Sequence, residues 1–124
     1  MAKALVVDDS KAIRLILGKT LGSLGYEVLQ ASNGQEALET LARESEGLEL
    51  VLVDWNMPVM NGLEFVRHVR ANPGYANLAL MMVTTETHLD QVSTALEAGA
   101  NEYVMKPFTA DIIADKLRLL GCLQ

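Results

Sequence analysis

The sequence predicts a doubly wound α/β sandwich with five strands and five helices, on three observations. Five short apolar runs recur along 124 residues, each is followed by a stretch with helical spacing of apolar residues, and the connections are short. Half of the residues are hydrophobic but only 5% are aromatic, so the core must be built from Leu, Val, Ile, Met and Ala, which suits a buried parallel sheet. A chain of this length buries one sizeable core, and residues 1–124 are expected to form a single domain.

The first strand is Ala4-Leu5-Val6-Val7, ending at Asp8-Asp9. Ile13, Ile16, Leu17, Leu21 and Leu24 then fall at helical spacing before Gly25. Val28-Leu29 marks the second strand, and Ala37, Leu38, Leu41 and Ala42 form the stripe of a second helix after Asn33-Gly34. Leu50 to Val53 is the third run, closed by Asp54; a loop through Pro58 and Asn61-Gly62 leads to a helix carrying Leu63, Val66 and Val69. Asn72-Pro73-Gly74 reads as a turn. Leu78 to Val83 is the fourth strand, closed by Thr84, and Val92, Ala95 and Leu96 mark a helix ended by Gly99. Tyr103-Val104-Met105 is the fifth strand before Lys106-Pro107, and Ile113, Leu117 and Leu120 lie on the last helix. Strands alternating with helices pair in parallel through right-handed crossovers.

The charge balance, 10 Lys plus Arg against 16 Asp plus Glu for a formal net charge of −6, argues against a nucleic-acid footprint. The single cysteine, Cys122, has no intramolecular partner, and no leader-like segment opens the chain, so a cytoplasmic home is expected. The longest apolar run, 78–83, is far below the ~20 residues that span a bilayer, and no membrane role is expected.

In open α/β sheets the ligand site lies beyond the carboxyl ends of the strands where the strand order reverses, which for the order 2-1-3-4-5 is between strands one and three. Asp8 and Asp9 follow strand one, Asp54 follows strand three, Thr84 ends strand four and Lys106 follows strand five. Three carboxylates in one crevice repel one another unless a cation lies among them or their pKa values rise. The candidate ligands are all oxygens, which favours a hard cation. Mg²⁺ fits better than Ca²⁺ because the protein oxygens are few. Lys106 adds a fixed positive charge and Thr84 a hydroxyl, which together describe a phosphoryl site. No glycine-rich phosphate loop is present, and two aspartates in the first turn disfavour a bound nucleotide or flavin. Phosphoryl transfer onto an aspartate remains.

With Val6-Val7-Asp8-Asp9-Ser10, Val53-Asp54-Trp55-Asn56-Met57-Pro58 through Gly62, Val83-Thr84 and Lys106-Pro107-Phe108 in order, the chain resembles the receiver domains of response regulators along nearly its whole length, and most of all the single-domain chemotaxis regulators. The resemblance implies a flavodoxin-like fold in which Asp54 is phosphorylated and Mg²⁺ is held by Asp54, by Asp9 directly, by Asp8 through water and by the Asn56 backbone carbonyl. It implies that Lys106 pairs with the phosphoryl group and that the Lys106-Pro107 bond is cis. Thr84 would move to the phosphoryl group and Tyr103 would turn inward, reshaping the face made by the fourth helix, fifth strand and fifth helix.

Asn56 and Glu86 flank the route of an attacking water, and the resemblance implies self-dephosphorylation within seconds to minutes. Thr85 stands where chemotaxis regulators often carry alanine, which would narrow access to Asp54. Asn61 replaces a common aspartate before Gly62, and either residue suits a turn with positive φ. The implied partners are a histidine kinase or histidine phosphotransfer protein, and an output target such as a flagellar motor switch protein. The expected state is a monomer, with dimerisation on phosphorylation left open.

Each of these residues also has a plainer reading: Asp8-Asp9 as a helix cap, Thr84 as a strand-end hydroxyl, Tyr103 as packing and Glu86 as a solvated charge. His68 and His88 lack ligand-spaced partners and read as surface residues. Three receiver roles stay open: motor regulator, phosphorelay shuttle or sink, and the receiver of a larger regulator. Two rivals of other classes are an aspartate-based Mg²⁺ phosphatase, whose usual second aspartate is here Asn56, and a phosphorylation-independent interaction module.

Overall fold

The computed structural model describes residues 2–85 and 89–123. Five strands, β1 (Lys3–Val7), β2 (Glu27–Ala31), β3 (Leu48–Val53), β4 (Ala79–Thr84) and β5 (Glu102–Met105), form one parallel sheet in the order β2-β1-β3-β4-β5. Five helices intervene: α1 (Lys11–Ser23), α2 (Gly34–Glu44), α3 (Gly62–Arg70), α4 (Leu89–Ala98) and α5 (Ala110–Leu119).

Because successive side chains of a strand point to opposite faces, the apolar runs supply two cores at once. Leu5, Val7, Val51, Val53, Leu80 and Met82 pack under α2, α3 and α4 with Ala37, Leu41, Phe65, Val66, Val69 and Ala95. Ala4, Val6, Leu50, Leu52, Met81 and Val83 pack under α1 and α5 with Leu17, Leu21, Ile113 and Leu117. This double burial is why the strands read as continuous apolar runs rather than alternating ones. No helix among the described residues is long and apolar enough to cross a membrane.

Several expected core positions differ. Ile16 is 52% exposed and so is its neighbour Leu15 at 54%, because α1 turns only Leu17 and Leu21 fully onto the sheet. Ala42 is exposed and Leu96 is 40% exposed, whereas Phe65, which the helical stripe of α3 omitted, is fully buried. The turn at 72–74 tightens into a short 3₁₀ helix, Pro73–Tyr75, with the Asn72 side chain accepting from the Gly74 N–H at 2.9 Å.

Asn61 corrects the expectation of positive φ at that turn. Its φ is −77°, and its side chain caps α3 by accepting from Glu64 N–H while the Glu64 carboxylate accepts from Asn61 N–H. That reciprocal box requires extended backbone at the cap. The left-handed residue is Val59, at φ 70°.

Candidate phosphoryl site at the carboxyl rim of the sheet

The rim is assembled by strand ends that hydrogen-bond across the sheet. Asp54 N–H donates to the Val7 carbonyl at 2.9 Å, and Asp8 N–H donates to the Ala31 carbonyl at 3.1 Å. These bonds continue the ladder one residue past each strand and fix the two aspartates side by side. At the other end, Lys106 N–H donates to the Thr84 carbonyl at 2.9 Å, which seats Lys106 directly beyond β4 and β5.

Asp8 and Asp54 are buried and Asp9 is exposed, yet carboxylate oxygens of all three lie within 4.8 Å of one another, so the group could hold a metal ion. Lys106 Nζ lies 2.9 Å from Asp8 Oδ2 and 3.4 Å from Asp54 Oδ2. Burial pushes the Asp54 carboxyl above the ordinary carboxylate range; Lys106 opposes the rise, Asp8 adds to it, and a backbone hydrogen bond from Asn56 opposes it. Burial works against the Lys106 ammonium, but the Asp8 hydrogen bond and the Asp54 and Asp8 charges outweigh it and raise its pKa. Three carboxylates against one ammonium leave an excess of two negative charges when all are ionised. A divalent cation would balance that excess, and the all-oxygen donor set suits a hard one.

Of the other expected site residues, Thr84 is buried at the end of β4 and Asn56 is exposed two residues beyond Asp54. Tyr103 is half-buried on β5, 5.3 Å below Lys116 Nζ, and the Lys106–Pro107 bond is cis. Thr85 is exposed and lines, with Ile13, Ile16, Lys106, Pro107 and Phe108, a groove of about 360 Å³ beside the rim. Trp55 is half-buried against the core and His68 is exposed. Glu86 and His88 lie outside the described residues.

Supporting residues were not anticipated. Arg14 Nη1 donates to the Asp8 carbonyl at 2.7 Å while its Nε donates to Gln30 Oε1 at 3.2 Å, tying α1 and β2 to the end of β1. Ser10 N–H donates to Asp8 Oδ1 at 2.9 Å and the Ser10 hydroxyl caps α1. Gly62 lies so close beneath Asp54 that any Cβ there would run into the Asp54 carbonyl. The conspicuous Asn61-Gly62 pair was the available signal for this approach, though it reads equally as a turn.

A five-stranded parallel sheet in this order, with acidic residues at its switch point and a lysine beyond its last strand, defines a class of phosphoryl-accepting signalling domains. The model of the response regulator receiver domain family matches residues 4–118, and the chain belongs to that family. It is 47% identical to the chemotaxis protein CheY homolog of Campylobacter jejuni over 116 residues, covering 93% of this chain and 88% of that one. It is 45% identical to the chemotaxis protein CheY1 of Helicobacter pylori over 119 residues, 95% of each chain. The structure of Vibrio cholerae chemotaxis protein CheY4 superposes with a TM-score of 0.89 at 38% identity, over 97% of this chain and 98% of that one. The protein is thus a receiver of phosphorylation-activated two-component signalling, a switch of the CheY type.

Proposed function

We propose that Asp54 is the phosphoacceptor, that Asp8, Asp9, Asp54 and the Asn56 backbone carbonyl hold Mg²⁺, and that residues 1–124 work as one receiver unit in the cytoplasm. The observation that carries this reading is the cluster itself: three carboxylates, two of them buried, within 4.8 Å of one another and a lysine reaching those two.

In this mechanism an Asp54 carboxylate oxygen attacks the phosphorus of a phosphohistidine or small acyl phosphate. The new O–P bond forms as the bond to the donor breaks, and the donor leaves with its electron pair. Mg²⁺, when bound, supplies charge neutralisation for the phosphoryl oxygens. Lys106, already half-buried beside Asp54, transfers its ion pair to those oxygens. Thr84, buried beside it, offers a hydroxyl, and Tyr103 responds on the α4-β5-α5 face.

Phosphorylation adds a charge of about −1.5 to −2, by analogy with other phosphoresidues, and biases an existing equilibrium between two states. The donor is a histidine kinase or phosphotransfer protein, and Asn56 with Glu86 sets the lifetime of the phosphorylated state. The three chemotaxis-protein relatives support a chemotaxis output, and we propose a flagellar motor switch protein as its target.

The test uses Trp55, which adjoins Asp54 and is half-buried. Its fluorescence should change and saturate with Mg²⁺ and then with beryllofluoride. The second step should vanish in Asp54→Asn. Equal responses to beryllofluoride in both chains would defeat the assignment of Asp54.

A further inference from the structure

Strand β5 is the last in the sheet order, so one of its edges has no neighbouring strand. Alternation along the strand gives Lys106 N–H to β4, through the Thr84 carbonyl, and turns Tyr103 N–H toward the free edge. There Tyr103 N–H donates to Glu102 Oε1 at 3.0 Å. The same oxygen accepts from Lys116 Nζ at 3.2 Å, and that ammonium also stands 5.3 Å from the centre of the Tyr103 ring. Both charged side chains are largely withdrawn from solvent, at 29% exposure for Lys116 and 21% for Glu102.

One lysine of α5 therefore grips the backbone of Tyr103 through Glu102 and its ring through the face. A cation within ~6 Å of a ring centroid is attracted by the ring quadrupole, and the ion pair beside it holds the ammonium in register. The two contacts share a single ammonium, so neither is independent of the ring's placement. A ring that leaves this position gives up the lysine, and a lysine that leaves frees the ring. Arg118, two residues beyond Lys116 on α5, is engaged with Asp115 at 2.9 Å and does not compete.

We infer that Glu102 and Lys116 are positioning residues that latch Tyr103 in its half-buried placement and thereby set the threshold of the switch. The latch opposes phosphorylation-linked movement of the ring, and its release exposes Lys116 to a partner on the same face. This rests on the reading of Tyr103 as a residue that moves when Asp54 is phosphorylated.

The experiment is a Mg²⁺-beryllofluoride titration of the full chain, read by Trp55 fluorescence. Lys116→Met should bind beryllofluoride about threefold more tightly than the native chain, the size expected for one shielded pair plus one ring contact. Lys116→Arg, which keeps the charge and stacks on rings, should restore the native value. Glu102→Gln should tighten binding in the same direction by a smaller factor.

In a Tyr103→Leu background Lys116→Met should have no effect, whereas in Tyr103→Phe, which retains the ring face, it should keep its effect. Unchanged affinity in Lys116→Met, or an effect that persists in Tyr103→Leu, would overturn the latch while leaving the phosphoswitch intact. A native chain that ignores beryllofluoride would overturn both, and the two failures are thereby distinguished.

Discussion

Two of the cations drawn into this molecule are held in opposite ways. Lys106, at the carboxyl rim, is held by the carboxylates of Asp8 and Asp54. Arg70, at the end of α3, is held by dipoles: its Nε donates to the Gly99 carbonyl at 2.9 Å, Nη1 to Tyr75 at 2.8 Å, and Nη2 to Leu78 at 2.7 Å and Asn101 Oδ1 at 2.9 Å. Burial lowers the Arg70 pKa and no ion pair with a carboxylate is found for it among the described residues. The rigid fork of guanidinium suits such a fixed set of acceptors. Arg70 joins α3, the 3₁₀ turn, the entry to β4 and the segment after α4 into one fastening. Lys106 instead sits among an excess of negative charge, where a metal ion or a phosphoryl group, on the proposed function, would change its partners. Carboxylates make a responsive cation site and carbonyls make a permanent one.

The sharpest test of this contrast is to remove the responsive partner. Asp54→Asn should abolish incorporation of label from radioactive acetyl phosphate while the far-ultraviolet circular dichroism stays native. Arg70→Met should do the reverse, lowering stability by about 2–4 kcal/mol because several carbonyls lose their donor at once. Urea unfolding would show this loss, and calorimetry should find Mg²⁺ binding unchanged. A variant that lost metal binding in proportion to stability would show that the two ends are not separable.

The pH dependence should separate them again. The folded Asp54 carboxyl has a raised pKa, so the folded state holds its proton more tightly than the unfolded chain does. Without metal, the Asp54 contribution should therefore fall as pH rises from the ordinary carboxylate range through the raised value, and stay lost above it. The midpoint difference between native chain and Asp54→Asn, followed by thermal melts, should grow across that window in favour of the variant. Saturating Mg²⁺ should shrink the difference by stabilising the ionised native site.

The smallest expected effect lies between the two regions, in the loop that follows Asp54. Val59 is β-branched, 79% exposed and at φ 70°, a placement that disfavours branched side chains. Val59→Asn should raise stability by about 1 kcal/mol in urea titrations, with Mg²⁺ affinity unchanged. A loss of metal affinity would show that the strain shapes the site.

The responsive end was far more legible in the sequence than the permanent one. Four of the five apolar runs ended in a residue that could do chemistry, and the switch-point geometry of a parallel sheet brought Asp8, Asp54, Thr84 and Lys106 to one rim. Arg70 gave no comparable signal, because all but one of its partners are backbone carbonyls that any sequence supplies, and they lie up to 29 residues away. Arg14 was hidden for the same reason, since it grips the Asp8 carbonyl and not the carboxylate. The Glu102–Lys116 pair spans 14 residues and two elements, beyond the reach of any local periodicity. Helical spacing also could not rank Ile16 against Leu17, because a stripe shows where a helix is apolar and not how far round the sheet extends. At Asn61 the residue type was right for a turn and equally right for a cap, and the Glu64 three positions on was the clue that separated them.

The hydrogen bonds that carry Asp54 N–H to Val7 and Asp8 N–H to Ala31 extend the central ladder into the chemistry. Amide hydrogens at these two positions should exchange with deuterium only when the sheet itself opens, as slowly as those of the buried strands. The rim aspartates and the scaffold then share one lifetime. Evolution can retune such a switch by altering the perimeter, where Lys116 and Val59 lie, without touching the timekeeping of its centre.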